Sequence, residues 1–186
     1  MESLLERGME RDLAVGSALD TMLTSGPNQP ESDVLIRFPD CDPFGHLNNG
    51  RYLTYFVNTR EDHVLSTYGF DIYRHSQEAR RNWLVRGANV AYLRPVKMNQ
   101  LIKIRTRLVD VGNARLKVEG LMHADGMLHA ISWVDLTYVN LDTGRVARHE
   151  EKLQELFDNI VLPNAPGDLI DIHKRVKWLR AEENFK

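Results

Sequence analysis

The chain has 186 residues, 42% of them hydrophobic and 27% charged, with a formal net charge of −2. That length is one domain's worth and buries a core without staples, and so small a charge gives no electrostatic basis for binding nucleic acid or an anionic membrane. The single cysteine, Cys41, excludes an intrachain disulfide and fits a reducing, cytoplasmic home.

No apolar run approaches the length of a membrane span. The opening MESLLERGMERDLAVGSALD mixes acids and bases with leucines, unlike a signal peptide or a mitochondrial leader. Leu4, Leu5, Met9, Leu13 and Leu19 recur at helical spacing, which predicts a helix to about residue 23. Ser25-Gly26-Pro27-Asn28-Gln29-Pro30 then breaks the chain. Val34 to Phe38 reads as a short strand that ends at Pro39. From Asn49 to about Tyr68 the pattern is helical. Leu53, Phe56, Val57, Val64 and Leu65 form its apolar stripe, widened by Tyr52 and Tyr55. Asn48 or Asn49 is the expected N-cap, and Gly69 sits where a helix stops.

Four strands follow, over 82–94, 100–110, 114–123 and 127–140. Asp125-Gly126 is a two-residue hairpin turn, and Gly112-Asn113 and Asp142-Thr143-Gly144 mark further turns. Short helices are expected over 150–159 and within 168–183. Tight turns make the strands antiparallel neighbours. Such a sheet has one face to cover, and the long central helix is the obvious cover. The domain plan is therefore an N-terminal extension and linker over 1–31, a folded unit over 32–160 and a helical tail over 161–186.

The segment Asp40-Cys41-Asp42-Pro43-Phe44-Gly45-His46-Leu47-Asn48-Asn49 is the candidate for chemistry. It places carboxylates and an imidazole just ahead of a helix N-terminus, where unpaired N–H groups and a partial positive charge meet a forming oxyanion. An adjacent carboxylate attacks a carbonyl or activates a water. The same residue types are ordinary caps and turns, and on residue chemistry alone that plainer reading comes first. A calcium loop fails because its fifth position is Phe44 and its twelfth is Arg51. A two-residue turn pairs His123 with Leu128 and His129 with Met122 on the opposite face, so these two histidines share no metal. His63, His75, His149 and His173 lack ligand spacing and are expected at the surface or an interface. Cys41 alternates away from Asp40 and Asp42 and reads as a small buried hydrophobe. No Gly-x-Ser-x-Gly elbow or phosphate loop occurs.

Arg37 through Tyr52, together with Tyr92-Leu93-Arg94-Pro95-Val96 and Val139-Asn140-Leu141-Asp142-Thr143-Gly144-Arg145, resembles the 4-hydroxybenzoyl-CoA thioesterase-like branch of the hotdog superfamily. The resemblance runs from about Val34 to about Leu156. It implies an α+β hotdog fold, an antiparallel sheet wrapped around a long central helix. It also implies a homodimer or homotetramer with active sites at the subunit interface. Asp42 becomes the catalytic carboxylate, as nucleophile or general base. The helix start at Asn49 and Gly50 polarises the thioester carbonyl, and His46 and Asn48 position the loop, the thioester or the water. Phe44, Asn49 and Tyr52 fall at substrate-contacting positions, although for Phe44, Tyr52, Tyr55 and Phe56 a place in the core is the default. At the turn where relatives grip the CoA nucleotide, this chain offers only Arg115 and Lys117. An acyl-carrier-protein thioester therefore stands beside acyl-CoA as substrate. Glu61 and Asp62 lie too far along the helix to serve and are taken as surface or interface charges. The resulting expectation is an acyl-CoA thioesterase without cofactor or metal. Its rivals are a hotdog module that binds acyl thioesters without cleaving them and a hotdog dehydratase, whose differently spaced motif is not found.

Overall fold

A computed structural model describes residues 26–162 and 171–186. The helix expected over residues 1–23 lies outside the described residues. Five strands form one antiparallel sheet: β1 (Glu31–Leu35), β2 (Arg81–Tyr92), β3 (Leu101–Val111), β4 (Arg115–Ala124) and β5 (Met127–Asn140). Their order is β1-β3-β4-β5-β2. The helices are α1 (Asn49–Tyr68), α2 (Ile72–Ala79), α3 (Glu151–Ile160) and α4 (Ile172–Glu182). The sheet wraps α1, which is the expected hotdog architecture.

Local chemistry sets the bounds of α1. The Asn48 side chain accepts from the Gly50 N–H, and Gly69 closes the helix at φ 67°, donating to Leu65 O. Its buried face differs from the apolar stripe expected from sequence. Tyr52, Phe56, Thr59, His63, Val64 and Tyr68 are buried, whereas Leu65 is 54% exposed. His63 tolerates the core because its ring nitrogens meet Ser32 Oγ at 2.8 Å and Thr106 Oγ1 at 2.7 Å. His75 and His149 are likewise buried, correcting their expected surface placement, while His173 is exposed.

Three further differences have physical causes. β1 runs from Glu31 to Leu35 because Phe38–Asp40 forms a 3-10 turn and β1 pairs Glu31 with Arg105, where the two side chains form an ion pair at 2.9 Å. The helix α2 has no counterpart in the sequence reading. Asp71 caps it by accepting from Tyr73 and Arg74 N–H, both at 2.9 Å. The β4–β5 hairpin turns at Asp125-Gly126 as expected, but a bulge at Met122/His123 pairs Met122 with Ala130 rather than His129.

Both sheet faces are covered, not one. α1 and α3 cover the inner face, where Val64, Leu108, Tyr138 and Phe157 belong to one core cluster. The outer face carries Val109, Leu121, Leu128, Ile131 and Trp133, and α4 covers it with Leu179 and the following Phe185. At the centre of that packing, Glu119 takes Arg175 Nε at 2.7 Å and Arg107 Nε at 2.7 Å, all three side chains being buried. Burial alone pushes the Glu119 carboxyl up, but Arg175 and Arg107 outweigh it and hold the group below its ordinary value.

Candidate active site

The loop between Arg37 and α1 is built by backbone hydrogen bonds within itself and to residues 96–98. Asp42 N–H donates to His46 O at 2.8 Å, and Gly45 N–H to Asp42 O at 3.0 Å. Gly45 adopts φ 74°, a conformation that favours glycine, and its carbonyl accepts from Met98 N–H at 2.9 Å. Leu47 N–H donates to Val96 O at 2.8 Å. The Tyr92–Val96 segment thus belongs physically with the loop. The Tyr92 hydroxyl donates to Asn49 O at 2.9 Å, and its ring meets Tyr52 edge-on at 5.0 Å.

The two loop carboxylates are held differently. Asp40 Oδ2 accepts from the Tyr55 hydroxyl at 2.8 Å, and Arg51 Nε lies 3.4 Å from its Oδ1. Asp42 Oδ1 accepts two backbone donors, Phe44 N–H at 2.9 Å and His46 N–H at 3.1 Å. Among the described residues nothing hydrogen-bonds Asp42 Oδ2, which leaves that oxygen open to a water or a carbonyl carbon. The group is partly buried, pinned on one side and open on the other.

Gly50 does not present its N–H outward, because the Asn48 cap accepts it at 2.9 Å. One residue earlier, the Asn49 N–H has no acceptor among the described residues and is the donor the helix start offers. Asn48 therefore works through the cap, and its own N–H donates to Asp40 O at 2.9 Å. His46 braces Asp42 through its backbone and bridges to Lys97. Phe44 stands at the loop tip, 83% exposed.

Other expected residues are not brought together. Tyr52 is 2% exposed, and its hydroxyl oxygen accepts from Val96 N–H at 3.3 Å, so it is core and not a surface for substrate. Arg115 and Lys117 begin β4, which pairs with the Val111 end of β3, whereas the loop joins the Leu101 end through Ile36 N–H to Gln100 O. Ten residues of strand put these ends about 33 Å apart in one chain. Lys117 also pairs with Asp135 at 3.4 Å. Cys41 is partly buried, not sealed in, and donates to Arg37 O at 3.4 Å. Burial and the flanking Asp40 and Asp42 push its thiol up, away from a reactive thiolate. Glu61 accepts from the Tyr73 hydroxyl at 3.0 Å on the flank of α1. The cations near the loop are instead Arg37, Arg51 and Lys97, all exposed. They were legible as charges in the sequence, but only the fold gathers them. No group of three or more His, Cys, Asp or Glu side chains among the described residues is placed to hold a metal ion.

A model of the thioesterase-like superfamily matches residues 36–157, the span that contains the loop, α1 and the sheet from β2 to β5. No curated protein matches the sequence. Solved structures agree in fold. A probable thioesterase from Bartonella henselae is 22% identical, with 66% of this chain and 99% of that one covered at a TM-score of 0.60. The probable thioesterase YbaW from Escherichia coli is 21% identical, with 71% and 98% covered at 0.61. A DHNA-CoA thioesterase from Staphylococcus aureus is 18% identical, with 83% and 95% covered at 0.62. The matched span covers well over half of the sequence and takes in the Asp42 loop and the helix it caps, and on that ground the chain belongs to the thioesterase-like superfamily.

Proposed function

We propose that the protein hydrolyses acyl-CoA thioesters, with Asp42 as general base or nucleophile. The observation that carries this is the Asp42 carboxylate. Two backbone N–H groups fix one oxygen, and among the described residues the other stays open beside a helix start whose Asn49 N–H has no acceptor. As a base, Asp42 takes a proton from water as the water oxygen bonds to the thioester carbon. The carbonyl oxygen becomes an oxyanion facing the helix N-terminus. Collapse breaks the C–S bond, and the proton passes to the departing thiolate, leaving free acid and CoA. As a nucleophile, Asp42 forms a mixed anhydride that water then opens. Hydrolysis in ¹⁸O-water under single turnover separates the routes, because only the anhydride route can carry label into Asp42.

The family membership supports thioester chemistry, and the name of the Staphylococcus aureus relative supports CoA as carrier. Arg37, Arg51 and Lys97 supply positive charge near the loop for the phosphates of CoA. No cofactor beyond the CoA of the substrate enters this reading. A homodimer is the fitting assembly. β2 is a twelve-residue edge strand with Leu84, Val85 and Tyr92 exposed, and two copies pair there antiparallel. The outer sheet face is occupied by α4, which favours a dimer over a tetramer. No described helix is long and apolar enough to cross a membrane, and a free thiol fits the cytoplasm.

Thiol release from a panel of short, long and aromatic acyl-CoAs tests the reading. Asp42→Asn is expected to lower kcat/KM by about 10²–10⁴-fold. Undiminished hydrolysis by this variant overturns the assignment. Tight acyl-CoA binding without thiol release makes the protein a binding module instead, and release from acyl-carrier-protein thioesters alone changes the carrier.

A further inference from the structure

A cavity of about 220 Å³ lies between α1, the inner face of the sheet and α3. Val57, Val64, Val118, Val134 and Phe157 contribute to its mainly apolar wall. A cavity of roughly 150 Å³ with such a lining holds benzene, so this one has room for a substituted ring or a chain of similar bulk. Into the same wall α1 brings Arg60. Tyr68, whose hydroxyl donates to Pro27 O at 2.9 Å, is the polar group that bears on its charge. Among the described residues no carboxylate pairs with Arg60. A guanidinium carries five N–H donors in a fixed fork, and a phenolic oxygen does not satisfy them. A cation held at an apolar wall without a counter-ion is costly unless something else meets it. Arg60 is partly buried, and that burial pushes its pKa down, with Tyr68 opposing.

We propose that this cavity takes the acyl group of the substrate, and that the acyl group carries a hydrogen-bond acceptor, a phenolic hydroxyl or a carboxylate, which meets Arg60. This rests on the thioester-hydrolase reading above. Within one chain the Asp42 loop lies at the α1 N-terminus and the cavity begins at Phe56, with the buried ring of Tyr52 between them. The cavity opens elsewhere, at Tyr73 and Val85, which are 65% and 59% exposed. Val85 and the lining residue Asn82 sit toward one end of β2, and Tyr92, which holds Asn49, sits at the other. Antiparallel pairing of two β2 strands centred near Gly87 sets the Tyr92 of a second copy opposite this chain's Asn82. That copy's helix start and Asp42 loop then stand at the cavity mouth. The thioester carbon is attacked at the mouth while the acyl body fills the cavity.

The test is the ratio of kcat/KM within matched pairs: 4-hydroxyphenylacetyl-CoA over phenylacetyl-CoA, and glutaryl-CoA over pentanoyl-CoA. The wild type is expected to favour the acceptor-bearing member of at least one pair by tenfold or more. The pair that responds identifies the acceptor as phenol or carboxylate. Arg60→Met is expected to bring that ratio near one, and Arg60→Lys to restore part of it. A wild-type ratio near one in both pairs, or a ratio that survives Arg60→Met, overturns the proposal while Asp42-dependent hydrolysis still stands. Should Arg60→Met not fold, the wild-type ratios and Arg60→Lys decide alone. Absence of thiol release from every thioester is the separate outcome that removes the hydrolase reading itself.

Discussion

The Tyr55 hydroxyl donates to Asp40 Oδ2 at 2.8 Å, tying the first loop carboxylate to the flank of α1. Among the described residues Asp42, two residues later, receives only backbone donors and keeps an oxygen open. The two acids of one motif are therefore held differently, Asp40 tied to α1 and Asp42 to the backbone of its own loop. Asp40→Asn and Tyr55→Phe are expected to cost about 1.5 kcal/mol of stability each, with kcat falling far less than for Asp42→Asn. Urea denaturation alongside thiol release checks the split. Equal loss of kcat from Asp40→Asn and Asp42→Asn would show that both acids are chemical.

Glu119, Arg107 and Arg175 hold α4 on the outer face of the sheet. Glu119→Ala leaves two buried guanidiniums without their shared acceptor and is expected to cost about 3–5 kcal/mol, read as a lower urea midpoint. The Glu119 carboxyl sits below its ordinary value of 4.5. Its contribution is therefore complete above that pH and is lost as pH falls through the lowered folded value.

Four histidines make stability depend on pH in a higher window. His63, His75, His123 and His149 are all buried, and burial outweighs their partners and pushes each below the ordinary 6.5. His123 is opposed in this by Glu31, 2.9 Å from its Nε2. Below pH 6.5 the unfolded chain binds protons that the folded chain resists. Stability is thus full above 6.5 and falls as pH drops through it toward the folded values. Thermal melts are expected to hold steady from about pH 8 to 7 and to drop between about pH 6.5 and 5. A melting temperature unchanged over the lower range would show that these rings accept protons as readily folded as unfolded.

Gly120 lies on β4 where a Cβ would run into the Phe56 ring and Ser132 Oγ. Gly120→Ala forces Phe56 to shift, at a cost of about 1–3 kcal/mol. Phe56 and Gly120 both line the cavity, so the variant also narrows it. The expected outcome is a shift of the acyl-CoA profile toward smaller acyl groups, measured by thiol release. An unchanged profile in a folded Gly120→Ala would place the acyl group elsewhere.

Some of this was legible in the amino-acid order, and the reason is range. The bounds of α1 are set by Asn48 and Gly69, whose hydrogen bonds reach two to four residues. The hairpin at Asp125-Gly126 is set by two residues of turn chemistry. The carboxylate ahead of a helix start is likewise a local arrangement, and for that reason the position of Asp42 was legible. The α2 helix was local too. Its Asp71 cap and the Ile72–His75–Ala79 spacing are in the sequence, but eight residues carry too short a period to stand out beside the twenty of α1.

What the tertiary structure decided depends on residues far apart in the chain. Tyr52 became core because Val96 and Tyr92 close over it. His63 became core because Ser32 and Thr106 meet its ring. Arg115 and Lys117 fell to the far end of the sheet because strand register separates them from the loop. The outer face was covered because Arg175 finds Glu119 across 56 residues of chain. Arg60 came to line an apolar cavity only because the sheet packs against α1. Short-range hydrogen bonding and turn chemistry write themselves into neighbouring residues, whereas burial, charge pairing and cavity shape arise only when distant segments pack.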